Sequence, residues 1–139
     1  MLTTDQINIE TTGNCHMVDL THLVQQRVDG AKVKDGVIIL FVVGSTAGLT
    51  TIEYEPGLVN HDIAAACETF APADGHYEHE ATWHDDNGHS HVRASLVGPS
   101  LNVPLVNGEL TLGTWQQIVI IDFDTRPRQR TVVCQIIGE

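Results

Sequence analysis

The chain is poor in positive charge. Its 139 residues include only 7 Lys and Arg against 18 Asp and Glu, a formal net charge of −11. No Lys or Arg occurs between Lys34 and Arg93. We therefore expect no nucleic-acid partner, because affinity for a phosphate backbone comes mainly from Lys and Arg. An anion bound by the middle of the chain would need backbone N–H groups, hydroxyls, histidines or a metal ion.

Long apolar runs and cysteines are also scarce. No run is long enough to span a bilayer, and the first residues lack the basic start and apolar stretch of a secretion signal. We therefore expect a cytoplasmic protein with no membrane partner. Cys15, Cys67 and Cys134 are odd in number, widely spaced and form no CxxC pair. Buried free thiols are expected, not a disulfide framework.

What the chain does contain is enough apolar sequence for one core. Hydrophobic residues make up 42% of it, and no repeat or linker divides it, so we expect a single domain over residues 1–139. Helices early and strands late indicate an α+β fold. The patterns predict helices at 20–28 and 59–70, a strand buried on both faces at 37–43, further strands at 115–123 and 131–137 and a short one at 50–54. They also predict a hairpin with a type I′ turn at Asn107 and Gly108.

Histidine is concentrated in one stretch. Six of the eight histidines lie between residues 61 and 91, among several carboxylates: His61, His76, His79, His84, His89 and His91. Neutral imidazole suits zinc and related ions, and a carboxylate beside a histidine suits a general base. A polar loop with solvated histidines is the alternative. His89 and His91 would point to one side of an extended segment, but would diverge by about 200° in a helix.

The loop Gly44–Gly48 follows a predicted buried strand and carries Ser45 and Thr46. It fails the GxSxG nucleophile pattern, because Thr46 stands at the serine position. Two interpretations stay open: a phosphate or carboxylate cradle built from backbone N–H groups, or an ordinary tight turn.

Two predictions concern the C-terminal third. Arg126, Arg128 and Arg130 follow Asp122 and Asp124 closely, which predicts a salt-bridged loop at the surface. A tryptophan, Trp115, opens an otherwise apolar strand, so we expect its ring in the core.

Taken in order, a set of short motifs resembles the YjbQ family, also labelled secondary thiamine-phosphate synthase. The resemblance covers nearly the whole chain. Many members of that family carry His where this chain has Gly44 and Asn where it has Ile52. The motifs are 45–50 leading to Glu53, Tyr77-Glu78-His79, Asp86-Asn87 with His91, 94–100, Val103-Pro104, Asn107-Gly108 and 112–116.

The resemblance implies a compact α+β fold, with β-sandwich-like strands and a few short helices, assembled as a homotrimer with a polar pocket near the subunit interface. The implied activity is weak synthesis of thiamine phosphate: a hydroxymethylpyrimidine diphosphate loses pyrophosphate as a thiazole phosphate nitrogen attacks its exocyclic methylene. The candidate catalytic residues carried over are Glu53, His79, Asp86, His91 and Gln116.

Two hypotheses about function follow. The first is an enzyme acting on a small phosphorylated metabolite, with thiamine phosphate synthesis as a side activity, because a chain of this charge suits a diphosphate poorly unless a cation bridges them. Ser45, Thr46 and Arg93 are then the candidates for binding the phosphate. The second is a non-catalytic trimer that binds a metal or a small ligand.

A divalent metal is the expected cofactor. Zinc is favoured, held by His89 and His91 with His79 or His84 as a third ligand, and magnesium is expected if the substrate is a diphosphate. A helix over residues 87–97 opposes this arrangement, because it would separate His89 from His91.

Overall fold

Strands dominate the architecture. The computed structural model describes all 139 residues, and no helix in it is long and apolar enough to cross a membrane. A π-helical turn, Leu58–Asp62, leads into the second helix. The strands are β1 (Leu2–Thr11), β2 (His16–Asp19), β3 (Gly36–Val43), β4 (Ala47–Ile52), β5 (Ser100–Val106), β6 (Glu109–Leu110), β7 (Gln117–Asp122) and β8 (Arg128–Gly138). The helices are α1 (Thr21–Ala31), α2 (Ile63–Phe70), α3 (Glu78–Trp83) and α4 (Gly88–Val97).

The strands form two antiparallel sheets. The larger has the order β1-β8-β3-β5-β6 and the smaller the order β2-β7-β4. The predicted hairpin is confirmed: Val106 pairs with Glu109, and Asn107 and Gly108 between them both have positive φ, at 54° and 82°. Positive φ at both central positions is what a type I′ turn requires.

The smaller sheet is the middle layer of the molecule, because β7 is buried on both faces. Ile118 and Ile120 belong to the main core, which lies between the two sheets and under α1. Val119 and Ile121 belong to a second core, covered by α2 and α4. The α+β prediction is confirmed, and each face of the middle sheet has its own apolar layer.

The predicted elements agree with the structure except where the apolar signal is weak. The sequence patterns did not predict three elements: β1, β2 and α3. β1 buries few of its side chains, and α3 is only six residues long. The strand predicted at 50–54 instead begins at Ala47 and ends at Ile52. The strand predicted at 37–43 forms, but its expected burial on both faces is wrong: Ile38, Leu40 and Val42 are buried, whereas Phe41 and Val43 on the other face are exposed.

Trp115 does not lie in the core. It is 70% exposed, so the prediction of a core tryptophan is wrong. The reason is local: the N–H of Gln116 donates to the carbonyl of Gly113 at 3.0 Å, which closes a tight turn just before β7 begins. Alternation between inward and outward side chains applies only inside a strand.

All three cysteines are buried and free, as the sequence predicts. Burial raises the pKa of Cys67 and of Cys134 to about 11. These thiols therefore stay protonated at neutral pH and behave as small apolar side chains.

Candidate functional site

A cleft opens where the β3–β4 loop, the α3–α4 segment and the start of β8 meet. Its volume is about 450 Å³. We call it the His/Arg cleft, after the side chains that give it its chemistry. Its lining is Gly44, Ser45, Thr46, His79, Trp83, Asp85, Asn87, His91, Asp124, Arg128 and Arg130.

The floor of the cleft is a buried network of ion pairs. Arg130 has a side chain only 8% exposed, and it donates to both carboxylate oxygens of Asp122, from Nε at 2.7 Å and from Nη2 at 3.0 Å. Nη2 also donates to Oγ1 of Thr46 at 2.6 Å. The Thr46 hydroxyl donates in turn to Oδ2 of Asp124 at 2.9 Å, which also accepts from Nε of Arg128 at 2.9 Å. Charge-assisted hydrogen bonds thus replace the water that these ions have lost.

These contacts keep both carboxyl groups ionised. Burial by itself would raise the pKa of Asp124, but hydrogen bonds from the Thr125 N–H, the Thr46 hydroxyl and two further donors lower it to about 2. Burial likewise acts to raise the pKa of Asp122, and the hydrogen bonds from Arg130 and other donors bring it below its ordinary value.

The prediction of a surface salt bridge in this region is therefore wrong about its location. The ion pairs form, but Asp122, Asp124 and Arg130 are buried. Asp122 follows Ile118 and Ile120 on the core-facing side of β7, and Arg130 precedes Val132 on the core-facing side of β8. The two-residue period of the strands was the signal that could have predicted this burial.

His79 of α3 and His91 of α4 lie side by side on one wall of the cleft. Their ring centroids are 4.4 Å apart, with 52° between the ring planes. Burial lowers the pKa of His91, and the neighbouring His79 lowers it further. His91 is therefore neutral at pH 7 and can accept a proton or bind a metal ion.

Asn87 links this pair to the network below it. Its Nδ2 donates to Oδ1 of Asp124 at 3.3 Å, so its amide oxygen is the atom that faces Nε2 of His79 at 3.0 Å. Nε2 of His79 must then carry a proton, which leaves the lone pair of the neutral ring on Nδ1. The ionised Asp124 thus determines the tautomer of His79 through Asn87.

Several residues that line the cleft carry hydrogen-bond donors with no acceptor in the protein. The backbone N–H groups of Gly44, Ser45 and Thr46 lie outside the strands and donate to no protein atom. The same is true of Nη1 of Arg130, and of both terminal nitrogens of Arg128, whose side chain is 39% exposed. Such a set of donors suits an oxyanion.

Arg93, the cation expected at the phosphate, is buried outside the cleft. Its Nε donates to the Ala71 carbonyl at 2.9 Å, and its Nη2 to Oε1 of Glu68 at 2.7 Å. The positive charge in the cleft comes instead from Arg128 and Arg130, which are distant in sequence from the histidine-rich stretch.

The four histidines expected to share a metal are not brought together. Because residues 88–97 are helical, His89 points away from His91 and lies 6.2 Å from the ring of Tyr77. His84 ends α3 in a left-handed conformation and borders a neighbouring hollow. No group of three or more His, Cys, Asp and Glu side chains is arranged to hold a metal ion.

The remaining catalytic candidates are dispersed. Asp86 lies in the same hollow as His84, where its Oδ1 accepts from the Thr125 hydroxyl at 2.8 Å. Glu53 is exposed beyond the far end of β4, and Nε2 of Gln116 donates to the Thr51 hydroxyl at 2.9 Å in a separate groove. The length of β4, about 20 Å for a six-residue strand, separates that end from the cleft. Within one chain, Glu53 and Gln116 cannot contact a small ligand held by His91.

Known proteins match the chain over almost its full length. The family described as UPF0047 protein YjbQ-like matches residues 5–139. A UPF0047 protein of Methanothermobacter thermautotrophicus is 32% identical over 136 residues, which cover 98% of this chain and 92% of that protein. A solved structure of a hypothetical protein from Aeropyrum pernix has a TM-score of 0.91 at 29% identity, over 99% of both chains. An uncharacterized YjbQ/UPF0047 protein of Clostridium acetobutylicum has a TM-score of 0.86 at 36% identity, over 96% of this chain and 99% of that one.

The network predicts a loss of stability in acid. Because the pKa of Asp124 is lower in the folded chain, the unfolded chain takes up the proton first as the pH falls below about 4. Stability present above that pH should decrease by about 2 kcal/mol on the way to pH 2 from Asp124 alone. Urea unfolding between pH 6 and pH 2.5 would measure this. Asp124→Asn should make the free energy of unfolding depend less steeply on pH, whereas the exposed Asp29→Asn should not. If Asp124→Asn and the native chain show the same pH dependence, the lowered pKa of Asp124 is contradicted.

The second prediction concerns the tautomer of His79. Nitrogen-15 NMR at pH 8 should find its neutral ring protonated on Nε2, because the Asn87 carbonyl accepts from that atom. His84 is a matched control, since it is exposed and its ring makes no hydrogen bond, and it should show a mixture of tautomers. Asn87→Ala should bring His79 towards the same mixture. A ring protonated on Nδ1 would contradict the proposed link through Asn87.

Proposed function

The chain belongs to the UPF0047 YjbQ-like family, a family of uncharacterised function. From the lining of its His/Arg cleft we propose that the cleft binds a small phosphorylated metabolite and acts on it as an acid–base enzyme. One observation carries the proposal: unused oxyanion donors and a pair of imidazoles line the same cleft. Neither group of residues alone would indicate more than a polar surface.

The first half of the proposal is anion binding. Arg128 and Arg130 present guanidinium N–H groups, and the Gly44–Thr46 loop adds three backbone N–H groups. The overall charge of −11 does not oppose this locally, because Asp122 and Asp124 are each paired with an arginine. A phosphate group would thus meet donors and paired carboxylates on the floor of the cleft, and Asp85, the remaining carboxylate of the lining, lies 3.6 Å from Nη2 of Arg126.

The second half is proton transfer. His91 is neutral at pH 7 because burial and His79 lower its pKa, so it can act as a general base. His79 would orient the substrate or hold a second proton, since its tautomer is determined by Asn87. Activity that depends on neutral His91 should decrease as the pH falls through the lowered pKa of that ring.

Thiamine phosphate synthesis fits this cleft as a side reaction. The bond between the pyrimidine methylene carbon and the diphosphate oxygen breaks, a bond from that carbon to the thiazole nitrogen forms, and pyrophosphate leaves. Arg128, Arg130 and the loop N–H groups would stabilise the charge that develops on the leaving pyrophosphate. The physiological substrate would be another phosphorylated metabolite.

The proposal includes a divalent metal, with two histidine ligands and not the three expected from the sequence. His79 and His91 would supply two ligands, and water, a bound phosphate or a partner subunit the others. Zinc is favoured by imidazole ligands, and magnesium by a diphosphate. His84 and His89 would not share that ion, because they lie outside the cleft.

The third prediction tests turnover. We expect His91→Gln to lower the rate at which water hydrolyses a phosphate monoester by about 10²-fold or more, the usual contribution of a general base, which would take the proton of the attacking water while the alcohol leaves. His84→Gln, outside the cleft, should keep the native rate. Calorimetric titration with inorganic phosphate should give similar affinities for both variants.

The results separate three cases. Binding of phosphate without turnover of any phosphorylated compound would favour the alternative, a non-catalytic ligand-binding protein. Turnover that survives His91→Gln would remove the acid–base role. Absence of phosphate binding to the native protein would contradict the proposal as a whole.

We further propose that the protein is a homotrimer whose subunits complete one another's sites. Two tryptophans, Trp83 and Trp115, are each 70% exposed, which is unusual for such large apolar rings unless another surface covers them. Trp83 also lines the cleft. Glu53 and Gln116 lie too far from the cleft in their own chain, so a neighbouring subunit would have to bring them to it.

The fourth prediction follows from this assembly. Light scattering should give about three times the 15.2 kDa of one chain, unchanged on dilution to low micromolar concentration. If sites are shared, co-refolding inactive Glu53→Ala and His91→Gln chains should restore part of the activity, because some mixed sites carry both native residues. A stable monomer would exclude a site between subunits, and a trimer without restoration would place the whole site in one chain.

A further inference from the structure

Gly44 occupies an unusual position at the edge of the His/Arg cleft. Its φ is +140°, and a Cβ atom built on it would lie 2.6 Å from Nη1 of Arg130. That distance is well inside van der Waals contact. The side chain missing at Gly44 therefore leaves an opening directly in front of the guanidinium group.

We propose that Gly44 is a specificity-determining residue: it gives a terminal phosphate group access to Nη1 of Arg130, which a side chain at this position would block. The inference rests on the proposed function of the cleft and adds to it the atom that the anion reaches. It also assigns to Arg130 a direct contact with the ligand, besides its part in the buried network.

Arg130 cannot move aside to avoid a side chain at position 44. Its Nε and Nη2 make three hydrogen bonds, two to Asp122 and one to Thr46, and the side chain is 8% exposed. Only Nη1 lacks a protein acceptor. The opening at Gly44 thus leads to a fixed, largely desolvated charge, where a hydrogen bond to an anion is stronger than one in open water.

The donors around the opening favour a phosphate over a carboxylate. They come from three sources: Nη1 of Arg130, the guanidinium of Arg128, and the backbone N–H groups of Gly44–Thr46. The three terminal oxygens of a phosphate monoester can meet all three sources at once. A carboxylate has a lower charge and only two oxygens, which lie in one plane with its carbon, so it would meet donors on three sides of the opening less well than a tetrahedral phosphate.

The test uses inorganic phosphate and calorimetry on the whole native chain. Gly44→Ala should raise the phosphate dissociation constant about tenfold or more, the effect of losing one hydrogen bond to a charged group. Gly98→Ala is the matched control: Gly98 also has positive φ, at +93°, but a Cβ there meets no atom within 4 Å. Both substitutions strain the backbone, and only Gly44→Ala should weaken binding. Acetate should bind the native protein more weakly than phosphate, and equal affinity would overturn the choice of phosphate.

A second measurement does not depend on how well Gly44→Ala folds. In the native protein, phosphate should shift the arginine side-chain signals of Arg130 in ¹H–¹⁵N NMR spectra, with the signal assigned by its loss in Arg130→Lys. Native protein that binds no phosphate would overturn the proposed function and this inference together. Phosphate binding that leaves the Arg130 signal unmoved, or that is equally tight in Gly44→Ala, would overturn only the inference.

Discussion

The buried ion pair between Arg130 and Asp122 is the interaction on which the geometry of the His/Arg cleft depends. It closes the space between the two sheets with charged groups where an apolar core would otherwise continue. An ion pair in that position is costly to desolvate. Hydrogen bonds with Thr11, Thr46 and the second pair, Asp124 with Arg128, compensate for this cost and leave Nη1 of Arg130 as the one guanidinium nitrogen of that residue without an acceptor.

That network orients two sets of side chains in the cleft: the two histidines and Arg130. Asp124 orients Asn87 through a hydrogen bond, and Asn87 in turn orients His79 beside His91. The hydrogen bonds that hold Arg130 leave its Nη1 facing Gly44. The carboxylates neutralise the two arginines but leave some of their guanidinium N–H groups without an acceptor. The cleft therefore offers donors to an anion, although the overall charge of the chain is strongly negative.

Local patterns predicted the parts of the structure that depend on near neighbours. The type I′ hairpin at Asn107-Gly108, the existence of a strand at residues 37–43 and the free cysteines are confirmed, since turn chemistry and apolar runs act over a few residues. The prediction of a core position for Trp115 is wrong because a turn interrupts the strand pattern just before β7. Among the site residues, His79, His91, Ser45 and Thr46 line the cleft as a group, whereas Arg93 is committed to Glu68 elsewhere.

The sequence by itself determined the family, the α+β class and the chemical types available: many imidazoles, few cations and a small hydroxyl-bearing loop. Only the tertiary structure decided which of them meet. Arg128 and Arg130 reach the histidines because β8 pairs with β3 beside the loop that follows it, and His89 leaves the group because α4 rotates it away from His91. Contacts between residues distant in the chain follow from sheet pairing and helix rotation, which motif spacing does not encode.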